Sequence, residues 1–321
     1  MTMTSPAPAR PSPSPSPTQA RPKIRTVRAV INPAAGSVGP DAEAIVSELG
    51  ARFGCDLTVD VLEPHAVVRT LRAAVDAGPD LILVLAGDGT AGLAATLCGP
   101  DGPLVAPLAG GTLNMLPHAI YGKRPWQDAL LATLETGVER SVSGGQVDGR
   151  PFYCAAILGS PALFAPVREA ARAGQLQKAW RRAAQAVRHA FAGNVHYRLD
   201  GARKARSAKA MALIAPLVSQ AMTEETGLEA AAFDMESARD LVRLAFNGLI
   251  SNWRDDPGVI AEVCRRGRIE SRHSIPALLD GEIQRLPKSV SFGFTPKAFR
   301  ALAPPVVATP AASAAAIGPP A

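Results

Sequence analysis

Between residues 27 and 136 the chain alternates short aliphatic runs with stretches in which apolar side chains recur every three to four positions. The runs at 27–31, 57–62, 81–85 and 103–108 read as strands. The third holds five consecutive aliphatic residues and should be buried on both faces. Helical spacing covers about 41–53, 65–77 (through Val67, Val68, Leu71 and Val75), 91–98 and 126–136. Alternating strands and helices predict a parallel sheet with crossover connections. All strands then end along one edge, where ligands bind.

Three of those strand ends carry small loops. After the first come Asn32, Pro33, Ala34, Ala35, Gly36 and Ser37, a turn that exposes backbone N–H groups near the start of the next helix. Alone, this is an ordinary strand–helix turn. The third strand runs through Ala86 into Gly87, Asp88, Gly89 and Thr90, a carboxylate between two glycines followed by a hydroxyl. Glycines there let the backbone approach a bulky anion that a Cβ would block. Asp88 alone reads as an N-cap, but a cap does not require glycine on both sides. The fourth strand ends in Ala109, Gly110, Gly111, Thr112, Leu113 and Asn114. Together the three loops favour a nucleotide phosphate site.

Composition narrows the setting. With 321 residues, two domains are expected, and 47% hydrophobic residues suffice for sizeable cores, finely packed because only 5% are aromatic. A net charge of +6 and a pI near 9.4 favour an anionic partner. Cysteines 55, 98, 154 and 264 form no C-x-x-C pair and read as reduced thiols of a cytoplasmic protein. No apolar run approaches the roughly 20 residues of a spanning helix, and the Pro/Ser-rich start lacks a signal peptide's apolar core. Residues 1–22, with Pro at 11, 13, 15 and 17, and the Pro/Ala-rich 303–321 are expected to be disordered tails. No repeat at a fixed period separates them.

Asn32-Pro33 with Gly36, then Gly87-Asp88-Gly89-Thr90, then Pro107 with Gly111-Thr112-Leu113-Asn114, resemble in order and spacing the diacylglycerol kinase catalytic domain family. Leu279-Asp280-Gly281-Glu282 resembles that family's C-terminal Asp-Gly-Glu motif. The resemblance spans about 27–300. It implies an α/β fold with an N-terminal three-layer parallel-sheet nucleotide domain (23–143) and a C-terminal β-sandwich domain (144–302), the nucleotide lying between them. The composition shift at Ser143-Gly144-Gly145 and the β-like runs at 152–158, 195–199, 209–217, 228–233, 268–274 and 289–294 agree with that plan. The chain departs from the family pattern in three places. Ala86 replaces a glycine, a change expected to tighten the loop without removing it. Gly159-Ser160-Pro161-Ala162 lacks a usual Asp. Thr226-Gly227-Leu228 lacks the Asp linked in one branch to a structural magnesium, so that metal site is not expected.

Phosphoryl transfer to an alcohol needs donors along the triphosphate, a magnesium ion bridging its oxygens, and a carboxylate that takes or orients the alcohol proton. Asn32, the Gly36 backbone, Thr90, Thr112 and Asn114 can supply donors, and Asp88 and Glu282 the carboxylates. The resemblance implies Glu282 as base and Asp88 as magnesium or nucleotide ligand, with the reverse assignment open and Asp280 as a supporting alternative. Asp280-Gly281-Glu282 alone would be a polar β-turn. The expected activity is an ATP- and Mg2+-dependent lipid kinase acting on a diacylglycerol- or sphingoid-type alcohol. Two alternatives stand beside it: an NAD kinase-like enzyme, which would not explain Asp280-Gly281-Glu282, and a catalytically silent lipid- or nucleotide-binding regulator.

Residues 162–191 read as a helix with Leu176, Trp180, Ala184, Val187 and Phe191 in one stripe, and with six basic residues against the single acid Glu169. A helix packed on its own domain is the plainer reading, and peripheral contact with the anionic inner face of a membrane the sharper one. No nucleic-acid motif is visible. A homodimer is one open option for the assembly. His65 and His118 read as packing or capping residues, and 247–253 suggests no function.

Overall fold

The computed structural model describes residues 21–63, 65–159, 194–219, 222, 226–233 and 259–305. The expected helix at 162–191, the Ser160-Pro161-Ala162 turn, the run 247–253 and nearly all of both tails lie outside the described residues.

The chain opens with β1 (Thr26–Ile31), α1 (Ala42–Arg52), β2 (Asp56–Val61), α2 (Val67–Asp76), β3 (Leu81–Ala86), α3 (Asp88–Cys98), β4 (Leu104–Ala109), α4 (Met115–Tyr121) and α5 (Trp126–Thr136). The four strands are parallel in the order β2-β1-β3-β4. The order reverses between β1 and β3, and the crevice at such a switch point is where ligands of open α/β sheets bind. All six side chains of β3 are buried, so the aliphatic run forms the spine of the core. Each of its large side chains contributes about 2 kcal/mol by leaving water. Arg52 of α1 faces Glu135 of α5 on one side of the sheet, while α2, α3 and α4 pack on one another. Helix–sheet–helix layering is the result.

The second half supplies β5 (Val138–Val147), β6 (Arg150–Phe152), β7 (Ala155–Gly159), β8 (Val195–Leu199), β9 (Arg206–Ala208), β10 (Ala210–Ile214), β11 (Leu228–Phe233), β12 (Val259–Cys264), β13 (Arg266–Glu270), β14 (Ile275–Leu279), β15 (Glu282–Leu286) and β16 (Ser289–Ala303). An antiparallel sheet runs β12-β11-β10-β7-β14-β15. Its inward residues, among them Leu158, Met211, Leu213, Leu228 and Leu279, share a second core with Tyr197, Ile269 and Phe292 from the other sheet. Two sheets face to face over a common core make the expected sandwich.

Several expected boundaries move for physical reasons. The composition break at Ser143-Gly144-Gly145 lies inside β5, which pairs with β16 along its length. A Cβ at Gly145 would meet the Phe152 ring at 2.7 Å from Cε1, so these glycines admit aromatic packing rather than end a strand. The run at 289–294 continues to Ala303, where Ala301 pairs in parallel with Val105 of β4. β5 and β16 therefore carry one continuous sheet past both cores. The run expected at 152–158 breaks at Tyr153 and Cys154, whose N–H groups bond a carboxylate instead of a strand. The strand expected at 268–274 sits at Arg266–Glu270, and 209–217 shortens to Ala210–Ile214.

Candidate active site

Because β1, β3 and β4 are neighbours, the three small loops meet at one sheet edge. The Asn32 N–H donates to Leu85 O (2.9 Å), which seats the first loop beside the end of β3. Within that loop the Asn32 Oδ1 accepts from the Ala34 N–H (3.1 Å), and the Ser37 N–H and hydroxyl donate to Gly110 O (3.0 Å) and Gly111 O (3.1 Å). Pro33, Ala34 and Gly36 remain exposed. A Cβ on Gly36 would meet nothing within 4 Å. Among the described residues nothing requires glycine there, and the space beside it is open.

The loop at the end of β3 is the first turn of α3. Gly87 is the N-cap in an extended conformation and helical geometry begins at Asp88, three residues earlier than the apolar spacing suggested. The shift follows from Gly89 and Thr90, which carry no apolar period yet fit a helical turn. The N–H groups of such a turn point outward toward an anion. Ala86 is fully buried as the last residue of β3, so its methyl belongs to the core.

Gly110 and Gly111 pack backbone to backbone on that turn. A Cβ on Gly111 would stand 2.6 Å from Gly87 Cα, and one on Gly110 2.8 Å from Ala86 N. Asn114, left-handed at φ 52°, closes the loop with its side chain: Oδ1 accepts from the Gly111 N–H (2.7 Å) and Nδ2 donates to Gly111 O (2.8 Å). Its amide thus shapes the loop. Thr112 is exposed and Thr90 half-buried at the rim.

Asp88 caps the neighbouring helix rather than its own, accepting from the Leu116 N–H (3.1 Å) at the start of α4. Burial pushes its carboxyl up, against the lowering effect of the N–H groups of Leu116, Asn114 and Met115 and of His118 nearby. His118, read from sequence as a packing or capping residue, lies near enough for its charge to act on this carboxylate.

The Asp280-Gly281 pair forms the two-residue turn between β14 and β15, with φ 45° and 91°. Both values are positive, as Asp-Gly permits in a tight hairpin. The Asp280 carboxylate accepts from the N–H groups of Tyr153 (2.6 Å), Cys154 (2.8 Å) and Ala155 (2.9 Å). Burial still pushes its pKa up to about 6, and the Asp88 charge adds to the rise. The two aspartates therefore share one local field. Gly281 sits against Leu113 and Met115 of the β4–α4 loop. Glu282 is exposed, and its carboxylate lies on the Gly89 backbone: a Cβ on Gly89 would collide with Oε1 and stand 3.2 Å from Cδ.

Asp88, Gly89, Asp280 and Glu282 thus converge from both halves of the chain, with the Asn32–Gly36 and Gly111–Asn114 loops alongside. Sequence reading missed the contributions of Ser37, Tyr153, Cys154 and Leu116, which act largely through backbone groups and leave no side-chain signature. The Ser37-to-glycine contacts had one visible trace, a hydroxyl residue next to Gly36.

The fold and sequence have counterparts. Residues 26–147 match the family model described as the diacylglycerol kinase catalytic domain. No curated protein sequence matches the chain. Among solved structures, a diacylglycerol kinase from Bacillus anthracis str. Sterne superposes with a TM-score of 0.67 at 14% identity, over 89% of this chain and 100% of the other. Two putative diacylglycerol kinases from the same organism give TM-scores of 0.67 at 17% and 18% identity with the same coverage. Identities of 14–18% establish likeness of fold alone, and the sequence likeness to the diacylglycerol kinase catalytic domain is confined to residues 26–147, less than half of the chain.

Proposed function

We propose that the chain transfers the γ-phosphoryl group of ATP to the hydroxyl of a lipid alcohol of the diacylglycerol or sphingoid type. The observation that carries this reading is the contact of Glu282 with Gly89, which sets one carboxylate from each half of the chain against the amino end of α3. In this reading residues 23–143 hold the nucleotide and residues 144–302 the acceptor. The N–H groups of the Asn32–Gly36 loop and of the first turn of α3 bind the phosphates. Thr90 and Thr112 add hydroxyl donors. Glu282 takes the proton of the acceptor hydroxyl as its oxygen bonds to the γ-phosphorus, while the bond to the β–γ bridging oxygen breaks and ADP leaves.

Among the described residues no group of three or more His, Cys, Asp or Glu side chains forms a closed metal cage. Magnesium bound with a nucleotide needs only one or two carboxylates, with phosphate oxygens and water as its other ligands. Asp88, next in sequence to the Gly89 that Glu282 touches, would hold it there. When bound, the ion neutralises charge on the phosphate oxygens.

Apolar side chains around the turn favour a lipid over a soluble nucleotide as acceptor. Leu113 and Met115 press on Gly281, and Ile157, Leu278 and Ile283 form an in-register aliphatic row one step beyond Glu282, with Ile283 52% exposed. Among the described residues no helix is long and apolar enough to cross a membrane. The net charge of +6 supports peripheral binding to an anionic surface at the cytoplasmic face.

The test is ATP turnover with Mg2+ on a panel of lipid alcohols and NAD, in vesicles with and without anionic lipid. The expected result is transfer to at least one lipid alcohol, enhanced by anionic vesicles. Transfer to NAD alone would favour the soluble-nucleotide reading, and vesicle binding without turnover a silent regulator.

A further inference from the structure

We infer that Tyr153 is a positioning residue for phosphoryl transfer, a clamp that fixes the Asp280–Glu282 turn relative to the first turn of α3. The inference rests on the kinase reading above and assigns a role that the resemblance did not suggest.

Tyr153 lies in the gap between β6 and β7, where its N–H is not spent on a ladder. That N–H donates to Asp280 Oδ2 (2.6 Å), so the main chain of Tyr153 holds the turn that carries Glu282. The side chain reaches the other way. Its hydroxyl stands 2.8 Å from Thr96 Oγ1 on α3, and Thr96 donates its own proton to Gly92 O (2.8 Å). Tyr153 is therefore the donor of the pair. Thr96 sits eight residues beyond Asp88 on the same helix, about 12 Å along a rigid rod. One residue thus touches both the Asp280 turn and α3, with backbone on one and hydroxyl on the other.

The ring is keyed into place. It meets Phe299 edge to face, with centroids 5.1 Å apart and planes at 81°. A Cβ on Gly144 would stand 3.0 Å from Tyr153 Cδ1, and one on Gly92 3.9 Å from Cε2. Gly144 therefore leaves room for the ring, while Gly92 lies at ordinary contact distance from its edge. Only 4% of Tyr153 is exposed, so its hydroxyl needs the Thr96 partner. A carboxylate and a phosphate must meet within a fraction of an ångström, and a shift of about 1 Å can cost on the order of 100-fold in rate.

Tyr153→Phe removes the hydroxyl and keeps the ring, the Phe299 contact and the N–H to Asp280. Thr96→Val removes the acceptor from the other side. The clamp predicts that either change lowers kcat about tenfold while KM for MgATP stays within about twofold, that the melting temperature hardly moves in Tyr153→Phe but falls in Thr96→Val, which leaves the buried hydroxyl without its partner, and that the kcat of the double variant is no lower than that of either single. In an enzyme that turns over, unchanged kcat in both variants, or a lowered melting temperature with normal kcat, overturns the clamp and leaves the kinase reading intact. If the wild type transfers no phosphoryl group, the kinase reading fails by itself, and amide hydrogen exchange decides the clamp. Faster exchange at residues 88–90 and 280–282 in Tyr153→Phe supports the coupling, and unchanged exchange overturns it.

Discussion

Glu282 rests its carboxylate on the backbone of Gly89, so closely that the smallest side chain at position 89 would displace it. The two residues are 193 positions apart, yet Gly89 follows Asp88 directly, so the contact brings both carboxylates to one helix end. Alanine is worth up to about 1 kcal/mol more than glycine inside a helix, and Glu282 is exposed and free to swing aside. Gly89→Ala should therefore keep or raise the melting temperature while lowering turnover at least about tenfold. Calorimetry and initial rates on one preparation check both halves. Retained turnover would mean that the position of Glu282 is immaterial.

The glycines of the other two loops should separate in the same way. A methyl on Gly36 points into open space, whereas one on Gly111 meets Gly87 Cα at 2.6 Å, a backbone atom that cannot rotate away. Gly36→Ala should leave stability unchanged and weaken MgATP binding about tenfold, because the methyl intrudes where phosphate would sit. Gly111→Ala should cost about 1–3 kcal/mol of stability. Urea unfolding with isothermal titration of MgATP reads both. Equal losses of stability in the two variants would remove the distinction.

The strands and helices of the first half were legible because β3 is uniformly aliphatic and because Val67, Leu71 and Val75 recur with helical spacing. The convergence of the three loops could also be read, since a parallel sheet sends all its strand ends to one edge. The route of the last strand could not. Nothing local in 289–303 says that its end pairs with Val105, because pairing at that distance is settled by which core each face covers. The start of α3 was misplaced for a simpler reason: Gly89 is a weak helix former, and tertiary packing of Gly87 on Gly111 outweighs it. Asp280-Gly281 read as a turn and is one; only the fold shows that the same turn faces Gly89.

Asp280 makes a pH prediction whose sign is fixed. Its folded-state pKa, about 6, stands above the ordinary 3.8. The stability it contributes is full below about pH 4 and is lost as pH rises through 6, on the order of 3 kcal/mol. Asp280→Asn should flatten that part of the stability curve. Asp88→Asn, which keeps an acceptor for the Leu116 N–H but removes the neighbouring charge, should move the fall to lower pH. Chemical denaturation at half-unit steps from pH 4 to 7 checks both. A wild-type curve that rises through this window by as much as that of Asp280→Asn would contradict the assignment.

Two carboxylates from separate halves of the chain serving one triphosphate is the claim on which the rest depends, and Glu282→Gln tests it most directly. The substitution keeps size and removes the base. Single-turnover transfer from ATP to the best lipid acceptor should fall at least about 100-fold, while the dissociation constant for MgATP measured by titration changes less than about threefold. Undiminished transfer by Glu282→Gln would contradict the account.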